Sequence, residues 1–165
     1  MTPTTPVRTA LTRQVIAGMR WLAALTGDPN GTWLAWAQGH AVPVPLGTAA
    51  AVVRIPEELG RAAVGVLAGH APALVGPVLL DQWAGVVDVF VPAASAVWQG
   101  GDVQQIGGRQ EPQSRIMCPS PGRTAVGRSW LHLPRALPDC PVVLTDSHRL
   151  AKALSVARTR LPVAR

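Results

Sequence analysis

PVLLDQWAGVVDVFVP, residues 77–92, places two short apolar runs, Pro77–Leu80 and Val86–Val91, on either side of the break Gln82–Gly85. β-Branched runs of this length around a short break ending in glycine read as two strands joined by a tight turn. A turn that short joins antiparallel strands, whereas parallel neighbours need a crossover of a dozen or more residues. The hairpin therefore favours an α+β layer fold over a doubly wound parallel sheet.

Upstream, Ala49–Ile55 is a β-branched strand followed by Pro56-Glu57-Glu58. Proline at a first helical position and acids in the first turn favour a helix start. That helix carries Leu59, Ala62, Ala63, Val66 and Leu67 on its buried side and ends near Gly69. Earlier still, Leu11, Val15, Met19 and Leu22 fall at helical spacing with Arg13 and Arg20 between them, until Gly27-Asp28-Pro29 stops the run. Trp33, Leu34 and Trp36 predict a further helical turn before Gly39, and the prolines of 41–45 predict an extended edge segment.

Downstream, Arg115–Cys118 and Ser129–Leu133 read as a second hairpin joined by PSPGRTAVGR, residues 119–128. Pro141–Leu144 reads as one more short strand. Thr145 or Ser147 then caps a helix carrying Leu150, Leu154 and Ala157 to about Arg160, with Arg149, Lys152 and Arg160 on an exposed basic side. The expected architecture is helices packed on a mainly antiparallel or mixed sheet built from hairpins. Residues 10–160 form a single α+β domain, with flexible tails at 1–9 and 161–165. No run reaches the ~18 apolar residues of a membrane span, and the first residues hold no apolar signal core. The chain reads as cytoplasmic, with no membrane partner.

Lys and Arg total 15 against 9 acids, a formal charge of +6, with Lys152 the one lysine. The excess favours acidic partners, nucleic acid first. Cys118 and Cys140 lack CxxC or Cys/His spacing, so neither a disulfide framework nor a zinc site is implied. His40, His70, His132 and His148 include no i, i+4 pair that would offer two ligands from one helix.

Two-metal phosphoryl transfer needs clustered carboxylates. Asp81 and Asp88 come nearest to a pair, yet the alternate positions hold Trp83 and Phe90, so there is no strand DxD. Glu57, Glu58 and Asp146 are explained by helix starts and Asp139 by a loop. Trp21, Trp33 and Trp36 read as core, and Trp83, Trp98 and Trp130 as core or rim packing beside turns. No GxSxG, GK[ST] or GxGxxG motif occurs. The expectation is no catalytic residues, no metal and no cofactor.

GGDVQQIGG at 100–108 followed by CPSPGRTAVGRSW at 118–130 resembles the closing part of the bifunctional primase/polymerase N-terminal domain, of the archaeo-eukaryotic primase type. Asp102, Gly107-Gly108, Pro119-Ser120, Gly127 and Trp130 occupy places of that family's final motif, and VVDVFVP is similar to one of its strands. The resemblance covers roughly 75–133 and its motifs are short and glycine-dominated. It implies a primase/polymerase-like fold, and nucleotidyl transfer if any activity is kept. The family's paired strand acids and strand histidine have no counterparts; Asp102 alone matches a catalytic acid, as a remnant. A lone carboxylate cannot assemble a two-metal site, so the resemblance implies a shortened relative without polymerisation.

Between Pro112 and Pro138 there is no acid. Arg109, Arg115, Arg123 and Arg128, with Ser120, are the residues expected to bind nucleic acid or a nucleotide phosphate, projecting from the two sides of one hairpin onto a common surface. Arginine forks and hydroxyls match phosphate oxygens. The alternatives are a solvated hairpin whose arginines only keep it soluble, and a protein-interaction module served by Trp98 and the amphipathic ends.

Overall fold

The computed structural model describes residues 12–95, 98 and 101–162. Its centre is the hairpin read above: β3 (Val78–Asp81) and β4 (Val86–Pro92) pair antiparallel, Leu79 opposite Asp88 and Asp81 opposite Val86. Asp81 makes the turn, its Oδ1 accepting the N–H groups of Trp83 and Ala84 at 3.1 and 3.0 Å. On the other side of β4 lies β2 (Ala50–Pro56), reached from β3 through the crossover helix α3 (Glu57–His70) and a short 3-10 turn, Pro72–Leu74. With β5 (Gln104–Gly107) and β7 (Arg128–His132) the sheet order is β5-β2-β4-β3-β7, antiparallel at every step.

Both faces of this sheet are covered, so β4 is apolar at every position but Asp88. Val53, Ile55, Val78, Leu80, Val87, Val89 and Val91 point to the layer made by α3 and α4 (Ser147–Arg160), where Leu59, Ala63, Leu150, Leu154 and Ala157 meet them. Val52, Leu79 and Phe90 point the other way. They pack against α1 (Arg13–Leu25), α2 (Pro29–Ala37) and a two-stranded sheet of β1 (Val42–Pro45) and β6 (Arg115–Cys118). Met19, Leu22, Trp36, Val44 and Ile116 fill that second core. Each such large side chain contributes about 1.5–3 kcal/mol on full burial. The result is an α+β fold of four helices on a mostly antiparallel sheet. No helix among the described residues is long and apolar enough to cross a membrane.

The ends of the helices follow local chemistry. Thr12 caps α1 by accepting the Val15 N–H, and Asp28 caps α2 by accepting that of Gly31. The cap of α4 is Asp146, not Thr145 or Ser147. Thr145 is buried, and its Oγ1 accepts the Gly76 N–H at 2.9 Å, which ties the entry of α4 to the entry of β3. A Cβ at Gly76 would stand 2.8 Å from the Thr145 nitrogen, so this crossing admits only glycine.

Three expectations are corrected. Arg115–Cys118 and the strand starting at Arg128 do not form a hairpin: β6 pairs with β1, and β7 with β3. Their ten-residue connection is longer than the loops that impose hairpin register, and each strand has a better partner. β1 carries Pro43 and Pro45, which suit an edge strand, and β3 offers Asp81 directly opposite Arg128. Pro141–Leu144 is not a strand; the Val143 N–H goes to the Arg135 carbonyl at 2.8 Å. Gln104–Gly107, in the glycine-rich stretch where no strand is expected, is a strand whose ladder rests on β2. Of the two expected tails, residues 1–9 and 163–165 lie outside the described residues. Leu161 follows α4, half-buried against the core.

Candidate nucleic-acid interface and the closed carboxylate pair

At one end of the five-stranded sheet the register sets Arg54 opposite Asp88 and Asp81 opposite Arg128. Opposite residues in an antiparallel pair share a face, as do residues two apart along a strand. Asp81 and Asp88 thus converge, as acids of a metal site do, but around guanidinium. Arg54 binds Asp88 through two bonds, Nε to Oδ1 at 2.8 Å and Nη2 to Oδ2 at 2.9 Å. Arg128 reaches Asp81 Oδ2 at 3.0 Å and Asp88 Oδ2 at 3.5 Å. Asp81 Oδ1 already holds the two turn amides. Every carboxylate oxygen of the pair is engaged.

The Asp88 side chain is 1% exposed, and a charge so buried must be paired. The bidentate bond to Asp88 raises the Arg54 pKa above its ordinary value against the cost of burial, with the charges of Asp88 and Asp81 adding to the rise. The divalent metals of primase/polymerase domains do not fit here, because no carboxylate oxygen is left to bind one and two guanidinium charges stand where cations would. Asp102 does not join the cluster. It meets Arg158 of α4 at 3.2 Å on the surface. Among the described residues no group of three or more His, Cys, Asp or Glu is placed to hold a metal ion.

Cys118, at the end of β6, is fully buried, and burial pushes its thiol well above the ordinary cysteine range although Arg128 pulls the other way. Such a thiol stays protonated and is no nucleophile. His132 on β7 is held below its ordinary pKa by burial first and by Arg135 second. Arg135 itself is fixed by bonds to the carbonyls of Pro72 and Val75 at 3.0 and 3.1 Å.

The structure does not bring the predicted arginines onto one hairpin. Arg109 follows β5 and Arg128 begins β7, strands at opposite edges of the sheet. Four interstrand steps of about 4.8 Å put those edges about 19 Å apart. Arg109 also lies past the Gly107 end of β5, while Arg128 sits level with Asp81 at the other end. Arg115 opens β6 on the small sheet, opposite Pro45, and is exposed. Arg128 is a structural ion-pair partner with a side chain 14% exposed. Ser120 is half-buried, its carbonyl accepting the Arg123 N–H in a turn.

Arg123 is exposed, and its guanidinium reaches the C-terminal end of α2, where a Cβ on Gly39 would lie 3.7 Å from Nη1. Two residues before it, Pro121 lines a cleft of about 460 Å³ together with Ile16, Met19, Arg20 and Trp33. Trp33 is half-buried and meets Trp36 edge-on, centroids 5.2 Å apart. Neither Arg20 nor Arg123 forms an ion pair among the described residues. Arg20 and Trp33 were not among the residues singled out for binding. The signal for Arg20 was its i, i+7 spacing from Arg13, which sets both on one side of α1. No family model matches the chain, and neither a curated protein nor a solved structure does.

Proposed function

We propose that this chain is a cytoplasmic, primase/polymerase-like domain that binds single-stranded nucleic acid without polymerising it. Its contact face is the cleft between α1, α2 and the 119–123 turn. Arg20 and Arg123 hold backbone phosphates, Trp33 offers an aromatic surface to a base, and Ser120 adds a hydroxyl beside them. The observation that carries the reading is that Arg20, with no carboxylate partner among the described residues, lines a cleft with Trp33 and Pro121, and that Arg123, likewise unpaired among them, extends from the same 119–123 turn toward the end of α2. Cationic side chains that track a backbone, combined with an aromatic platform, are what sequence-tolerant single-strand binding requires. The engagement of Asp81 and Asp88 by Arg54 and Arg128 supports binding without turnover.

The test is fluorescence anisotropy with a labelled 20-nucleotide single strand, DNA and RNA in parallel, at low salt. Arg20→Ser and Arg123→Ser each weaken binding, and Trp33→Leu weakens it by about 1–3 kcal/mol, the contribution of one stacked base. Equal affinity in all three variants and the parent would refute this face.

A further inference from the structure

The sheet separates the α1/α2 side from the layer of α3 and α4, and a different surface lies on that far layer. Between α3, the Pro72–Leu74 turn and α4 is a cavity of about 220 Å³ lined by Val66, Leu67, Leu74, Val75, Ala153 and Val156. Its apolar surface continues outward, because Leu74 is 43% and Val156 36% exposed. Three basic residues close the rim: His70 at the end of α3, and Arg149 and Lys152 one turn apart on α4. Neither Arg149 nor Lys152 has an ion-pair partner among the described residues. The acid nearest in sequence, Asp146, spends Oδ1 on the Arg149 backbone N–H as the helix cap.

We infer that this groove docks an acidic amphipathic helix of a partner protein, one large apolar side chain entering the cavity while flanking carboxylates meet Arg149 and Lys152. The cavity volume suits one Leu or Phe side chain. Leu74 and Val156 carry the apolar lining out to the surface between the basic residues, and an apolar patch framed by charge is the usual form of a helix-binding groove. The rim cations select an acidic partner, since a basic helix would bring like charges together. The inference is independent of the nucleic-acid reading.

A random 16-residue peptide library displayed on phage is panned against the 165-residue chain, and the most enriched peptide is synthesised with a fluorophore for anisotropy. The enriched sequences should carry Leu or Phe flanked by Asp or Glu. Affinity should fall at least about tenfold, or 1.4 kcal/mol, in Val156→Glu and in the double variant Arg149→Glu/Lys152→Glu, and stay unchanged in Arg20→Ser on the other side of the sheet. The substituted side chains are exposed, and circular dichroism with thermal melting checks that each variant folds. No enrichment, enriched peptides without acids, or binding indifferent to Val156→Glu would overturn the inference. So would the finding that octanoate shifts the Val156 amide in NMR spectra while no peptide does, because the groove would then be a small-amphiphile site.

Discussion

Asp88 shows how one residue type serves opposite ends according to what faces it. An acid in the middle of an apolar strand reads equally as a metal ligand or as half of an ion pair, and the partners decide. Here they are Arg54 and Arg128, which lie 34 and 40 positions away. Their pairing follows from register, which composition and spacing do not carry. The acids were therefore legible in the sequence and their saturation was not. Asp88→Asn leaves two guanidinium groups short of a counter-charge, and urea denaturation should register a loss of about 3–5 kcal/mol. Primer-extension assays with Mg²⁺ or Mn²⁺ should give no product from the parent protein; template-dependent product that disappears in Asp102→Ala would contradict the reading of binding without polymerisation.

His132 gives a pH dependence of known sign. Its folded-state pKa is depressed by burial and by Arg135, so the unfolded chain binds the proton more readily. Stability from this group is complete above its unfolded value of about 6.5 and is lost as pH falls through the lower folded value. Thermal melts at pH 7.5 and pH 5 should show a smaller decrease in His132→Gln than in the parent. An identical decrease would mean that other groups govern the acid limb.

At the scale of elements, periodicity and breakers were enough for α1, α3, α4 and the central hairpin, each of which owes its form to contacts close in sequence. The glycines and glutamines around β5 concealed it, because that strand depends on backbone pairing with β2 more than on its own side chains. β6 and β7 were recognised as strands but given to each other. The turn next to β7 is set by contacts distant in sequence: Gly127, at φ +73°, lies so close under the Trp83 ring that a Cβ would come within 2.6 Å. Leu154 is fully buried in α4. Leu154→Ala should cost about 2–5 kcal/mol in chemical denaturation, and a loss far below that would mean α4 is not integral to the core.

Over the described residues the acids are largely used within the chain, in helix caps, the Asp81/Asp88 cluster and the surface pairs Glu57–Arg61 and Asp102–Arg158, so much of the positive excess is left on the surface. Charge totals made that excess legible, while its division between two sides of a sheet depended on topology. The central claim, that the α1/119–123 face holds phosphates, is tested most directly by the salt dependence of single-strand binding between about 50 and 300 mM. The parent should give a linear fall in log affinity with log salt, ~0.7 per phosphate neutralised. Arg20→Ala and Arg123→Ala should each flatten the slope by about one such increment, while Arg61→Ala, which removes the exposed partner of Glu57 on α3, leaves it unchanged. Binding that cannot be measured at ~50 mM salt, or one slope shared by all four proteins, would contradict the claim.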